Sequence, residues 1–106
     1  MNFMTMLDIQ PSATLRRQDV VAMNTNMILS NSGLMKKDLA RAMGLSPQSM
    51  ASRLQSKADW TIDETCAAAD FFGVPLMALL DENLTPAKAM EYIKNRRSDN
   101  GNDGQL

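Results

Sequence analysis

Two short stretches of the chain place apolar residues three or four positions apart, with a polar break between them. The first carries Leu39 and Met43, and the second carries Met50 and Leu54. This spacing brings the apolar side chains of each stretch onto one face of an α-helix. The pattern therefore predicts two amphipathic helices joined by a tight turn within residues 35–55.

The residues of the break have the chemistry of a helix end followed by a helix start. Gly44 comes directly after the first apolar stripe, where a residue with positive φ ends a helix at little steric cost. Ser46 is a favourable N-cap, and Pro47 suits the first helical position because no N–H is needed there. Leu45 precedes the cap and Met50 lies four residues after it, which is the spacing of a hydrophobic staple.

A small residue lies where the two predicted helices would cross. Helices joined by so short a turn cross at a steep angle and come close together. Ala40 lets the two backbones approach, so the combination favours a helix-turn-helix. The spacing alone leaves open a helical hairpin that is buried in an all-α domain.

The outer face of the second predicted helix, over residues 46–55, is polar but uncharged. Gln48, Ser52 and Gln55 fall opposite its apolar stripe, and Ser49 lies beside them. Glutamine can bond to adenine through two hydrogen bonds, and serine can bond to several base edges. A solvated face would more often carry Glu and Lys pairs, so this face favours a helix that reads bases.

Four further helices are predicted, over about 15–31, 62–72, 76–80 and 85–97. Thr61 and Glu64 have the spacing of a capping box at the start of the second of these helices. The last helix has few apolar residues, so it needs a partner surface in its own chain or in a second copy. Three inner positions stay open between neighbours: Met23 or Asn24, Phe72 or Phe71, and Met90 or Ala89. The predicted core comprises Val20, Met27, Ile28, Leu39, Ala40, Met43, Leu45, Met50, Leu54, Ile62, Cys66, Ala69, Phe72, Val74 and Leu79.

The length of 106 residues suggests a single domain with modest room for a core. We expect a helix-turn-helix domain over 15–80, followed by a linker and a C-terminal helix over 81–97 that is a candidate dimer contact. Residues 98–106, rich in Asn, Asp and Gly, are expected to be a disordered tail. Residues 1–14 are expected to be a flexible N-terminal arm. The alternative, an arm that reaches along DNA, is weakened because residues 1–14 contain no basic side chain.

The composition argues against catalysis and against a metal or cofactor site. The chain has no histidine and no glycine-rich phosphate loop, so a histidine-based triad or metal site is excluded. The single cysteine cannot form an internal disulfide, which favours a reducing, cytoplasmic location. No apolar run is long enough to cross a membrane, and no small-molecule effector is evident.

Charge is divided unevenly along the chain, although the net charge is only −1. Residues 16–57 carry seven basic and two acidic side chains, a net +5, whereas residues 58–85 carry six acidic side chains and no basic one. The phosphates of a DNA duplex would meet the first part and avoid the second. Lys36 and Lys37 begin a helix, where positive charge is unfavourable unless an anion such as phosphate binds there. The alternative is that both lysines are merely solvated.

Several stretches together resemble the Xre-type helix-turn-helix regulators, the group that includes the lambda repressor and Cro. They are LARAMGLSPQSMASRL, WTIDE and FFGVPLMALL, and the likeness covers about residues 20–80. The resemblance implies an all-α, five-helix DNA-binding domain, used as a homodimer on a two-fold double-stranded DNA operator. It also implies a transcriptional repressor of bacterial or phage origin. Departures from the family pattern include Met35 in place of a Ser or Thr cap, Pro47, and Ser56 where glycine is common.

Residue chemistry and resemblance together define a candidate DNA interface. The expected base-reading residues are Gln48, Ser49, Ser52 and Gln55. The expected phosphate-contacting residues are Lys36, Lys37, Ser46, Arg53 and Lys57. The alternative function is a protein-interaction module, antitoxin-like or regulator-binding, that uses the same scaffold without reading DNA.

Overall fold

The chain is all-α, as the sequence predicts, in a computed structural model that describes residues 15–104, with side chains described for 15–96. These residues form six helices and no strand. The helices are α1 (Arg17–Ser32), α2 (Lys36–Met43), α3 (Pro47–Leu54), α4 (Ile62–Phe72), α5 (Leu76–Leu79) and α6 (Pro86–Gly104). Residues 1–14, expected to be a flexible arm, lie outside the described residues, as do residues 105–106.

Local capping explains why the central helices begin and end where predicted. Gly44 has a φ of 72°, and the amide of the next residue, Leu45, donates to the Ala40 carbonyl to close α2. The Ser46 hydroxyl accepts a hydrogen bond of 3.1 Å from the Ser49 amide at the start of α3. These bonds satisfy backbone groups that would otherwise be unpaired at the two helix ends.

The capping box at the start of α4 is also confirmed. The Glu64 amide donates to the Thr61 hydroxyl, and the Thr61 amide donates to the Glu64 carboxylate, both at 3.0 Å. Thr65, at the next position, is buried and donates through its hydroxyl to the Thr61 carbonyl. The short stretch before α4 is therefore fixed by bonds that its own sequence supplies.

Helix boundaries differ from the predictions at the two outer helices. α1 begins at Arg17 rather than near Leu15, and its N-cap is Arg16, which makes no side-chain capping bond. The expected cap, Thr14, lies outside the described residues. α6 continues to Gly104, although an end near Arg97 and a disordered tail were expected. Its last turns are rich in Asn, Asp and Gly, which are weak helix formers and argued for the earlier end.

Eleven of the fifteen predicted core residues are buried. Met27 and Leu45 are half-buried and pack against the core, and Cys66 is half-buried. The prediction for Ile62 was wrong, because 78% of its side-chain surface is exposed. Ile62 is the first residue of α4, and it lines a surface groove with Leu76 and Leu80 instead of entering the core.

The C-terminal helix packs on its own chain. Ala89 and Ile93 of α6 are buried in the core, whereas Met90 is exposed. The partner surface that the thin apolar stripe required is thus supplied largely by α1, which α6 contacts. Further core residues that the sequence reasoning did not name are Val21, Ala22, Leu29, Trp60, Ala68, Ala78 and Leu84.

Of the two candidate inner residues of α1, Met23 and Asn24, the structure buries the polar one. Asn24 is 1% exposed, while Met23 lies at the surface. The Asn24 amide nitrogen donates to the carbonyls of Leu79 and Asp81, each at 2.9 Å, and more weakly to the Ala78 carbonyl at 3.4 Å. These acceptors lie at the end of α5 and in the following turn. A single side chain of α1 therefore holds the C-terminal end of α5 against α1.

Replacing Ala40 with leucine is expected to destabilise the fold by about 1–3 kcal/mol. Ala40 is buried and borders Pro47 and Met50 at the crossing of α2 and α3, where added methyl groups would push the helices apart. Thermal unfolding monitored by circular dichroism measures the effect. Ala42→Leu, at an exposed position of the same helix, is the matched control and should unfold like the parent. Equal stability of both variants would show that the larger side chain fits the crossing.

Candidate nucleic-acid interface

The C-terminal end of α3 is held by side chains from outside that helix. The Trp60 indole nitrogen donates to the Arg53 carbonyl at 3.0 Å, and the Asn26 amide donates to the Leu54 carbonyl at 2.9 Å. Carbonyls in the last turn of a helix have no partner within the helix, so these two bonds satisfy them. α3 is thereby attached both to α1 and to the loop that leads into α4.

An ion pair attaches the same end of α3 to the start of α4. The Arg53 guanidinium donates through Nε and Nη2 to the two Glu64 carboxylate oxygens, each at 3.0 Å. The two side chains are only 19% and 12% exposed, so water screens the pair poorly. The hydrogen bonds from Arg53 lower the pKa of the Glu64 carboxyl below its usual value, against the opposing effect of burial.

This geometry gives Arg53 a role within the chain besides the expected phosphate contact. The sequence placed Arg53 among the phosphate-contacting residues, and the structure pairs one edge of its planar guanidinium, formed by Nε and Nη2, with the Glu64 carboxylate. A bidentate pair of this kind has a fixed geometry and holds its two partners in place. Arg53 therefore positions α3 relative to α4 within the described residues.

The outer face of α3 carries the expected base-reading residues at its surface. Gln48 and Gln55 are exposed, and Ser49 and Ser52 are half-buried. Among the described residues, neither glutamine side chain takes part in a hydrogen bond, so both amides can donate and accept elsewhere. A helix held at one end with free amides on its outer face has the rigidity that a recognition surface needs.

The basic residues divide into paired and unpaired groups. Arg16 pairs with Asp19, Arg17 lies 2.6 Å from Glu82, and Arg41 lies 3.4 Å from Asp38. The positive charge of residues 16–57 is thus partly neutralised within the chain. Lys36, Lys37 and Lys57 are exposed and form no ion pair with any described side chain.

Lys36 and Lys37 lie beside the start of α3. With Ala40 of α2 they line one side of a groove of about 240 Å³, and Pro47, Met50 and Ala51 of α3 line the other. Met35, the N-cap of α2, makes no side-chain capping bond, so the first amides of α2 have no side-chain acceptor. Two lysines and these amides therefore surround a place where an anion would be stabilised.

The remaining predicted residues lie around this arrangement. The Ser46 hydroxyl oxygen already accepts the capping bond, but its hydrogen stays free to donate. Lys57 follows α3, and its amide donates to the Ser52 carbonyl at 2.9 Å. Ser56 adopts a φ of 59°, a left-handed conformation that explains why glycine would suit this position.

Sequence reasoning missed the bonds that hold α3 in place. Trp60, Asn26 and Glu64 bond to residues that lie 7, 28 and 11 positions away in the chain, and no local spacing encodes such bonds. One signal was available for Trp60, the only tryptophan of the chain, because it lies in an otherwise polar loop. A large aromatic residue in such a loop is usually buried with its N–H paired.

Within the part of the chain that the structure describes, no three His, Cys, Asp or Glu side chains are grouped to hold a metal ion. None of the helices described is long and apolar enough to span a bilayer.

Any functional assignment has to come from the residues of the chain, because comparison with known proteins gives no match. The chain matches no protein-family model, no curated protein and no solved structure.

Proposed function

We propose that this protein is a sequence-specific, double-stranded DNA-binding transcriptional regulator, in which α2 and α3 act as a helix-turn-helix and α3 enters the major groove. The proposal includes the five-helix arrangement of the Xre-type domain over α1 to α5 and a role as repressor. One observation carries it: the outward-facing residues of α3 are small or polar and include no carboxylate, and they adjoin lysines that have no acidic partner among the described residues.

Phosphate contacts would come from the start of α2. Lys36 and Lys37 flank the uncapped first turn of α2, and a backbone phosphate there would neutralise two like charges at the positive end of the helix dipole. Lys57 would contact the backbone beyond the other end of α3. These contacts supply affinity and register but carry no sequence information.

Sequence preference would come from α3. Gln48 lies in its first turn, the part of a recognition helix that approaches base edges most closely. Ser52 follows one turn later with a shorter reach, and Ser49 and Gln55 lie beside this line. Arg53 is left out of the base contacts, because its guanidinium is paired with Glu64.

Lys36→Ala and Gln48→Ala are expected to separate positioning from reading. Lys36→Ala should weaken binding to specific and random duplexes alike, and should reduce the slope of log K against log salt by about one. Gln48→Ala should leave that slope nearly unchanged, cost about 1–3 kcal/mol on the selected operator, and relax one base position. Fluorescence anisotropy on both duplexes across a salt series measures these effects.

The matched control for Lys36 is Lys94→Ala, which removes an exposed lysine of α6 that has no ion pair among the described side chains. This variant should bind both duplexes nearly as the parent does. If Gln48→Ala weakened binding to the operator and to random duplexes equally, α3 would contact the DNA backbone instead of the bases. That result would contradict the proposed reading face.

We also propose that the regulator binds as a homodimer. One α3 helix reads only a few base pairs, and two copies with half-sites about 34–36 Å apart would double the readout. The expected contact was the segment 85–97, but truncation there would now remove Ala89 and Ile93 from the core. Met90 is an exposed apolar residue of α6, and it lines a groove of about 370 Å³ together with Leu34 and Phe71.

Met90→Glu is expected to weaken dimerisation at least tenfold, because it replaces an exposed apolar side chain, beside Leu34 and Phe71, with a charge that a second copy would cover. Met77→Glu, at an exposed methionine of α5, is the matched control and should leave association unchanged. Sedimentation equilibrium at matched concentrations gives the dimer dissociation constants of the two variants. Unchanged association of the Met90→Glu protein would place the dimer contact elsewhere.

The rival function is a protein-interaction module, and the exposed apolar side chains of Ile62 and Met77 favour it. Such a module would show no steep salt dependence of retention on random duplex DNA, whereas a DNA-binding protein would. Selection of bound fragments from a pool of random duplexes then tests sequence preference directly. Failure to enrich any sequence would overturn the proposal of a specific regulator.

A further inference from the structure

An apolar groove lies on the side of the domain formed by the start of α1, the Trp60 loop, α4 and α5. Its apolar wall is formed by Val21, Trp60, Ile62, Leu76 and Leu80, and it encloses about 200 Å³. It shares no lining residue with the groove beside Lys36 and Lys37. We call it the Trp60 groove.

The polar groups around the Trp60 groove are already paired within the chain. The Trp60 amide donates to the Gln18 side-chain oxygen, and its indole nitrogen donates to the Arg53 carbonyl. The Arg17 guanidinium donates to the Leu80 carbonyl at 3.1 Å and to the Glu82 carboxylate. The groove therefore offers an occupant apolar surface and few free hydrogen-bonding groups, and its shape is fixed before anything binds.

We propose that residues 3–9 of the same chain dock in the Trp60 groove. Within this segment, five of seven side chains are apolar and one, Asp8, is charged. The apolar residues are Phe3, Met4, Met6, Leu7 and Ile9. A segment that stays in solvent is typically poor in such residues, so this composition favours burial on an apolar surface.

The connection along the chain brings the segment within reach of this groove. Arg17 and Gln18 line the groove, and Ile9 precedes Arg17 by only eight residues. Eight residues span at most about 26–29 Å when extended, so Ile9, at the near end of the segment, can reach the groove. Such a short tether gives an effective concentration in the millimolar range, which lets a weak apolar contact form within one chain.

Paramagnetic relaxation enhancement tests the docking in the full chain. A nitroxide is attached at Thr5→Cys in a Cys66→Ala background, and amide signals are recorded on 15N-labelled protein. We expect the signals of Gln18, Ile62 and Leu80 to broaden more strongly than those of Leu34 and Met90, which line a separate groove beside α6. Broadening that favours neither groove, or that favours Leu34 and Met90, would overturn the proposal.

A control with the same tether length separates docking from simple proximity. Leu7→Ser together with Ile9→Ser, in the same labelled chain, should reduce the enhancement at Ile62 and Leu80 at least twofold. On the groove side, Ile62→Asp changes an exposed residue and should have the same effect, whereas Met90→Asp should have none. Enhancement that persists in the serine variant would show that the tether alone brings the label near, and would contradict docking.

Mixing spin-labelled 14N protein with unlabelled 15N protein identifies the chain that supplies the segment. Docking within one chain predicts little broadening at Ile62 and Leu80 in the mixed sample. Strong broadening there would mean that the groove is filled by a second copy, which would overturn the intramolecular assignment. None of these outcomes depends on DNA binding.

Discussion

Replacing Asn24 with alanine is expected to destabilise the protein by about 3–4 kcal/mol. The Asn24 amide is buried and donates to the carbonyls of Leu79 and Asp81 at 2.9 Å, with a longer bond to Ala78. Its removal would leave the buried Leu79 carbonyl without a donor, whereas the Ala78 and Asp81 carbonyls keep the amides of Asp81 and Leu84. An unpaired buried polar group costs about 1–3 kcal/mol. A small cavity would add to that cost.

Urea unfolding measures this effect with an intrinsic probe, because Trp60 is the only tryptophan and is buried. Asn31→Ala is the matched control: it lies on the same helix, is exposed, and donates to the Met27 carbonyl of its own helix. The control should change the free energy of unfolding by less than about 0.5 kcal/mol. A similar small change for Asn24→Ala would show that its bonds to the α5 end do not stabilise the fold.

Replacing Glu64 with alanine is expected to destabilise the protein by about 3 kcal/mol at pH 7. The Glu64 carboxylate accepts both bonds from Arg53 and the capping bond from the Thr61 amide, so one substitution removes three interactions. It also leaves the largely buried Arg53 guanidinium without a counter-charge, which is the costly way to break such a pair. Glu82→Ala, which breaks the more exposed pair with Arg17, is the control and should cost under about 1 kcal/mol.

The same pair predicts a dependence on pH. Because Arg53 lowers the pKa of Glu64 in the folded protein, its stabilising contribution is complete above the pKa of the unfolded state and is lost as the pH falls through the lowered folded value. Asp19, whose pKa is lowered by Arg16, adds to the same acidic limb. Glu64→Gln should therefore lose less stability than the parent between pH 6 and pH 3. If the free energies of unfolding of the parent and of Glu64→Gln fell in parallel over this pH range, the assigned role of Glu64 would be contradicted.

A weakened Arg53–Glu64 pair should also affect the proposed function. The pair, the Trp60 indole and the Asn26 amide together hold the C-terminal end of α3. If α3 reads bases, loosening that end should lower operator affinity in a variant that still folds. DNA binding by Glu64→Gln, measured at pH 7 where it is folded, separates the positioning of α3 from the contacts of Gln48.

The sequence determined that the chain is helical and where the central helices begin and end, because the signals for these are local. Apolar spacing of three and four identified α2 and α3. Gly44 marked the end of α2, Ser46 the start of α3, and the Thr61 capping box the start of α4. Each signal acts between residues within one or two helical turns. Backbone bonds and side-chain caps of this range can be deduced without knowing what the helices pack against.

The tertiary structure decided which side chains are used within the chain and which remain free. Helical periodicity could not choose between Met23 and Asn24, and it placed Ile62 inside, because a stripe shows a face but not where the neighbouring helix ends. Arg53 looked like a free cation until Glu64, eleven residues later, was brought beside it. Pairing between distant residues depends on how the helices pack, since the energy of a charged or polar group is set by what surrounds it in three dimensions.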